Sequence, residues 1–217
     1  MTRFLAPLIL GLGGCAVLIS LGVWQLNRAE WKADLLARID AAIAAEPVPL
    51  AEARGDEYEA VIVTGRFEGP VLRFIHSGRE ELIVTGLRTE EGSLVLVDLG
   101  LAAPRAPIEL PETPVTVTGN LSRPKGSGAE LIAEGVNVPG ARDLDALVLL
   151  FGSEPTLVVA SRTDPAVPGV TPLPLDTGEI PNNHFGYAIQ WFGLAIVWAG
   201  MALFWAVRIA RGTREGT

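Results

Sequence analysis

Two uncharged apolar runs, Leu5–Trp24 near the start of the chain and Phe185–Val207 near its end, constrain the fold more than anything between them. Each is long enough to cross a hydrocarbon layer of roughly 30 Å as a helix. The second run holds one strongly polar side chain, Gln190, and is preceded by His184. The roughly 160 residues between the runs are the size of one domain. The expected fold is a membrane α-helical hairpin of two transmembrane helices enclosing a β-rich, antiparallel extramembrane domain.

Charge sets the expected orientation. Arg3, Arg208, Arg211 and Arg214 against Glu215 leave the tails at +3. Residues 27–183 hold 13 Lys+Arg against 24 Asp+Glu, a net of −11, which completes the −8 of the whole chain. Basic residues beside a span favour the cytoplasmic side. Both termini are therefore expected in the cytoplasm and the central domain outside. The acidic balance argues against nucleic acid, which needs a cationic footprint. Cys15 is the one cysteine, so no intramolecular disulfide or thiolate metal cluster can form. Leu12-Gly13-Gly14-Cys15 resembles a lipoprotein cleavage site, but the apolar run continues well past Cys15, and an uncleaved anchor is expected. Only four residues precede the span, which favours a bacterial cytoplasmic membrane over an organelle reached by a transit peptide.

Periodicity divides the rest. Residues 1–26 read as the first transmembrane helix. Residues 27–49 read as an amphipathic helix and linker, with Leu35, Leu36, Ile39 and Ile43 at helical spacing before Pro47 and Pro49. Residues 50–164 form the β-rich domain, expected to be periplasmic. Strand-like segments fall at 58–67, 71–75, 82–88, 94–101, 115–121 and 156–160, separated by turn signals at Glu68-Gly69-Pro70, Ser77-Gly78 and Glu91-Gly92. Short strands at this spacing suggest a barrel or sandwich. One helix is expected near 143–151 with Asp143 as a possible N-cap, so the domain carries one or two helices in all. Residues 165–183, with five prolines, read as an extended strap. Residues 184–217 read as the second transmembrane helix and a basic cytoplasmic tail.

His184 is the principal candidate site. A neutral ring nitrogen can ligate a metal, and one imidazole suffices for an axial haem position; alternatively it is an interfacial polar residue at the helix start. On a helix, His184 shares a face with Ala188, Trp191, Ala195 and Ala202, with Tyr187 and Trp198 at its edge. The opposite face carries Gly186, Gly193 and Gly200. Either small-residue stripe can pack on Gly11, Cys15 and Gly22 of the first span. If the glycine stripe does so, His184 points away, and the alanine and tryptophan face suits a flat apolar macrocycle. Arg28 ends the first span at about the depth of His184. It reads as a snorkelling cation, or as a partner for a carboxylate such as a haem propionate. His76 is expected on a solvated turn, and the pairs Glu80-Glu81 and Glu90-Glu91 are expected to be solvated. No serine sits in a nucleophile-elbow pattern, so no catalytic role is expected.

Two motifs carry a resemblance. Gly22-x-Trp24-Gln25-x-x-Arg28-x-x-x-Lys32 and Asn182-Asn183-His184-x-x-Tyr187-Ala188-x-Gln190-Trp191-Phe192 resemble the Surfeit-locus family of cytochrome c oxidase assembly proteins. Tyr58–Phe67 is similar to the family's Y-x-x-V-x-V-x-G-x-F strand, and Leu94–Val97 to its L-V-x-x-G-W segment. Where the family reads asparagine-arginine-glycine-tryptophan, this chain has Asp98-Leu99-Gly100-Leu101. The resemblance implies a non-enzymatic chaperone that binds haem A transiently and aids its delivery to oxidase subunit I. The implied cofactor-binding residues are His184, as ligand to the haem iron, with Tyr187, Trp191 and Arg28. Implied partners are cytochrome c oxidase subunit I, haem A synthase and membrane lipid. A scaffold that stabilises an oxidase assembly intermediate without a cofactor is the competing expectation.

Overall fold

The computed structural model describes residues 2–76, 80–124, 130–133, 136–139, 144–178 and 180–212. The Ser77-Gly78 turn, the Asp143 cap and the tail charges Arg214 and Glu215 lie outside them. The chain divides into two compact units, residues 1–38 with 178–217, and residues 39–177.

The first unit is a pair of antiparallel helices. Helix α1 runs Thr2–Ile43 without a break, so the first apolar run and the amphipathic segment are one helix. At 1.5 Å per residue it is about 63 Å long, roughly twice a hydrocarbon layer. Glu46-Pro47, together with Pro49, ends it. Helix α3 runs His184–Gly212. Both α1 and α3 are long and apolar enough to cross a membrane, and their spanning windows are only 11% and 6% buried, unlike the core helices of a soluble protein. What they bury is small: Gly11, Gly22, Ala188 and Ala195 face inward, while Leu12, Val17, Ile196, Leu203 and Phe204 face outward. Large apolar side chains outside and small ones at the helix contact suit a lipid surrounding.

The contact settles which stripe of α3 packs. Gly11 lies under Ala202, Gly14 under Trp198 and Gly22 under Phe192. A methyl group at Gly14 would sit 2.1 Å from Trp198 Nε1. That closeness lets the indole N–H donate to the Leu10 carbonyl at 3.1 Å, satisfying a donor that lipid cannot. Along α1 the less exposed positions Gly11, Cys15, Leu18, Gly22, Gln25, Ala29 and Lys32 recur at alternating four- and three-residue steps, a heptad seam. The alanine stripe of α3 meets this seam. Gly186, Gly193 and Gly200 have open space beside them. The glycine-stripe alternative is therefore not adopted, and the alanine face is not free to cover a macrocycle, because α1 already covers it.

The second unit is a β-barrel. Its long strand is β2 (Ala60–Ile75), followed by β3 (Glu81–Thr89), β4 (Leu94–Ala102), β5 (Val115–Ser122) and β8 (Leu157–Asp164). These close a ring in the order β2–β3–β4–β8–β5–β2. All its pairs are antiparallel except β4–β8. This is a five-strand barrel of the small Greek-key kind. Outside the ring, β1 (Val48–Pro49) pairs with the start of β2, and β6 (Glu130–Ala133) and β7 (Val136–Pro139) form a hairpin against its end. Strand β9 (Val170–Thr171) clips the Pro-rich segment to β4.

The turn signal at Glu68-Gly69-Pro70 is real, but it bends a strand instead of ending one. Gly69, at φ +97°, takes a conformation that side chains disfavour, and the register slips between Glu68 and Leu72. Before the bend β2 pairs with β5; from Gly65 onward it pairs with β3. One bent strand thus closes the barrel. Val61, Val63, Ile83, Leu87, Val95, Val97, Val115, Val117 and Val158 fill the interior. Helix α2 (Leu144–Phe151) covers one flank, packing Leu144 and Leu147 against Leu72, Phe74, Leu82, Val84 and Leu96. With one face filled and the other covered, β3 and β4 are buried almost throughout, which explains their unbroken apolar sequences.

Asp98-Leu99-Gly100-Leu101 has a structural explanation. The β3–β4 register slips at Ile83/Val84, leaving Leu99 as the extra residue of a bulge. The buried Asp98 carboxylate accepts the Gly100 N–H at 3.0 Å. Gly100, at φ +107°, passes so close to β9 that a methyl group there would lie 2.2 Å from the Thr171 carbonyl oxygen. One expectation fails here: Glu81 is buried, not solvated. It opens β3 beside Arg73, whose Nη1 donates to Glu81 Oε2 at 2.8 Å while Nη2 donates to the Ala106 carbonyl at 2.6 Å. The Arg105 N–H donates to the same carboxylate oxygen at 3.0 Å. The pairing compensates the desolvation that would otherwise keep an acid at the surface.

Candidate functional site at the head of the second helix

The site is built where α3 begins. The Pro181–His184 segment is held against one turn-by-turn stripe of α1. Lys32 Nζ donates to the Pro181 carbonyl at 2.6 Å, and Asn182 Nδ2 donates to the Ala29 carbonyl at 3.3 Å. His184 Nδ1 and Gln25 Oε1 are 2.8 Å apart. Gln25, Ala29 and Lys32 are spaced by four and three residues, so they lie on one face of α1 and continue the seam that packs the apolar runs. His184 therefore faces the first span. The Tyr187 N–H reaches the Asn183 carbonyl at 3.2 Å and starts the α3 hydrogen-bond ladder.

The other residues singled out by sequence border this point to different degrees. Tyr187 is 50% exposed, one turn along α3, and Trp191 is half-buried a further turn on. Arg28 is exposed, one turn beyond Gln25, and its guanidinium lies 3.8 Å from the centre of the Trp31 ring, a cation–π contact. Among the described residues no hydrogen bond joins Arg28 to His184. Gln25 is the contact residue of His184 that sequence reasoning passed over. The motif that holds it was singled out, but nothing in the spacing marks this amide over Asn27 two residues on.

His184 is one of two histidines in the chain. The other, His76, belongs to the barrel unit, where its backbone N–H donates to the Glu80 carbonyl at 2.9 Å. The chemistry available at His184 is that of a partly exposed imidazole with Nδ1 already engaged. Among the described residues its ring makes no second hydrogen bond. Exposed aromatic and apolar side chains, Trp24, Phe185 and Ile189, lie on the neighbouring helix surfaces. Such a donor fits an axial position on a haem iron.

Two apolar antiparallel helices, a five-strand barrel in the sequence between them, and a histidine opening the second helix define a two-span membrane protein with one extramembrane β-domain. Residues 12–196 match the SURF1 family, and the chain belongs to that family. A Surfeit locus protein 1 from Xenopus tropicalis is 26% identical over 216 residues, covering 79% of this chain and 66% of that protein. The Cytochrome oxidase assembly protein SHY1 of Saccharomyces cerevisiae is 30% identical over 107 residues, covering 43% of this chain and 28% of that protein. The Surfeit locus protein 1 of Mus musculus is 39% identical over 57 residues, 24% of this chain and 19% of its own length. The matched stretches thus span between about a fifth and two thirds of these relatives.

Proposed function

We propose that this protein is a cytochrome c oxidase assembly factor that binds haem A at His184 and aids its delivery to oxidase subunit I, without catalysing a reaction itself. The observation that carries the reading is a single imidazole pinned to the neighbouring helix through one nitrogen at the head of an apolar span. Membership of a family whose relatives include a named cytochrome oxidase assembly protein supports it. One protein nitrogen suits a carrier, since cargo that is to be passed on must not be held by two strong ligands. In this reading the exposed Tyr187 flanks the ring, and Trp191 reaches it only with the part of its indole that α1 leaves uncovered. Arg28 meets a propionate by giving up its stacking on Trp31. Haem A synthase is the donor. Both termini lie in the cytoplasm of a bacterium, and the barrel lies in the periplasm, as the basic tails favour.

The open glycine face of α3 favours a second reading, in which the helix packs on a span of an oxidase subunit and no cofactor is bound. Haem content separates the two. Purified from cells rich in haem A, the full chain carries haem A under the first reading and His184→Ala loses most of it, with His76→Ala unchanged. A wild-type protein free of haem under those conditions defeats the first reading.

A further inference from the structure

We propose that Gln25 is the positioning residue for His184: it fixes the imidazole as the Nδ1–H tautomer and turns Nε2 outward as the ligating nitrogen. The inference deepens the haem-binding reading and rests on it for its purpose, but the tautomer stands or falls on its own.

The argument is one of donors and acceptors. An amide oxygen can only accept a hydrogen bond. With Gln25 Oε1 turned to the ring at 2.8 Å, the hydrogen bond forms when Nδ1 carries the proton. In a neutral imidazole the other nitrogen then holds the lone pair, which is the form a metal needs. The ring geometry directs Nε2 away from the atom bonded at Nδ1, so away from α1. Metal-ligating histidines characteristically donate their second N–H in this way, and the partner fixes both tautomer and ring orientation.

The placement of Gln25 is not incidental. It belongs to the same α1 stripe as Ala29 and Lys32, whose hydrogen bonds hold Asn182 and Pro181. The backbone leading into His184 and the ring itself are thus fixed from one helix face. Gln25 is half-buried, so water does not freely replace it at Nδ1. A neutral amide partner also suits a carrier. A carboxylate in its place would push electron density into the ring and strengthen the ligand. Glutamine orients the ligand without that push, which keeps the iron–nitrogen bond releasable.

The test uses the full chain in detergent, with nitrogen-15 histidine. His184→Ala assigns the signals, since only two histidines are present. Without haem, the His184 signals of the wild type are expected to show protonated Nδ1 and bare Nε2, and Gln25→Leu to lose that preference. Bare Nδ1 with protonated Nε2 in the wild type would overturn the inference. Haem A is then titrated into each protein. Gln25→Leu is expected to weaken binding by about 10- to 100-fold and to alter the spectrum of the bound haem. Gln25→Glu, which also accepts from Nδ1, is expected to restore ligation, bind more tightly than wild type and lower the haem reduction potential. Wild-type affinity and spectrum in Gln25→Leu would likewise overturn it. If no variant binds haem A while the tautomer is as stated, the haem reading fails and the positioning role stands.

Discussion

At the scale of single residues, small changes at three barrel positions have calculable consequences. Gly100→Ala forces a side chain into a left-handed conformation and into the Thr171 carbonyl. A cost of at least about 1–3 kcal/mol is expected, read as a lowered unfolding midpoint. Asn120, buried, donates through Nδ2 to the carbonyls of Ile43 and Tyr58, both at 3.1 Å. It thereby caps the free end of α1 within the barrel unit. Asn120→Ala leaves both acceptors short of a partner and is expected to cost about 1–3 kcal/mol. Glu59 supplies a pH dependence. Desolvation raises its pKa, but N–H groups of Arg54, Asp56 and Gly55, with the Arg54 charge, outweigh this and hold it below the ordinary carboxylate value. The unfolded chain therefore binds the proton more readily than the folded one. The contribution of Glu59 is present above the unfolded carboxylate pKa and is lost as pH falls through the depressed folded value. Thermal unfolding followed down the acid range is expected to show this loss, and Glu59→Gln to flatten it.

At the scale of elements, the helix contact makes the sharpest demand. Gly14→Val places side-chain atoms where the Trp198 indole now lies, separates α1 from α3 and breaks the bond to the Leu10 carbonyl. Trp198→Phe removes the bond and keeps most of the ring. In mixed-micelle unfolding Gly14→Val is expected to be the more destabilising, with Trp198→Phe costing about 0.5–1.5 kcal/mol. Equal stability of wild type and Gly14→Val would show that the contact contributes nothing. Both small-residue stripes of α3 were legible from spacing, but not the choice between them. That choice depends on Phe192 and Trp198, beside the alanine stripe, finding the hollows at Gly22 and Gly14 on a helix some 180 residues away in sequence. In the barrel, alternating and apolar runs revealed β3, β4, β5 and β8. The bend in β2 was read as a break between two strands, because Gly-Pro signals a turn without saying whether pairing continues through it. The hairpin β6–β7 and the clip β9 escaped notice. Each is short, and its pairing partner is set by tertiary contact and not by its own composition. The candidate site was half legible for the same reason: His184 announces itself by residue type, whereas Gln25 matters only through a partner 159 positions away.

At the scale of the whole molecule, topology carries the functional reading. Reporter fusions at Pro47 and after Arg214 are expected to place the first outside the cytoplasm and the second inside. A fusion at Pro47 active only in the cytoplasm would reverse the orientation and move His184 to the other membrane face. The order of elements, helix, β-domain, helix, was accessible from hydropathy, strand periodicity and turn signals. Closure of the barrel was not, because it depends on one strand serving two neighbours.

The Thr177 hydroxyl donates to Asp40 Oδ1, at opposite ends of the barrel unit. The first and last residues of a complete β-domain are thus adjacent in space. A polypeptide arranged in this way can be recut: joining residues near 40 and 177 by a short linker and opening the β3–β4 turn at Gly92 would give a circular permutant with every strand pairing intact. The same adjacency makes the barrel a cassette that could be exchanged between relatives without lengthening either crossing point.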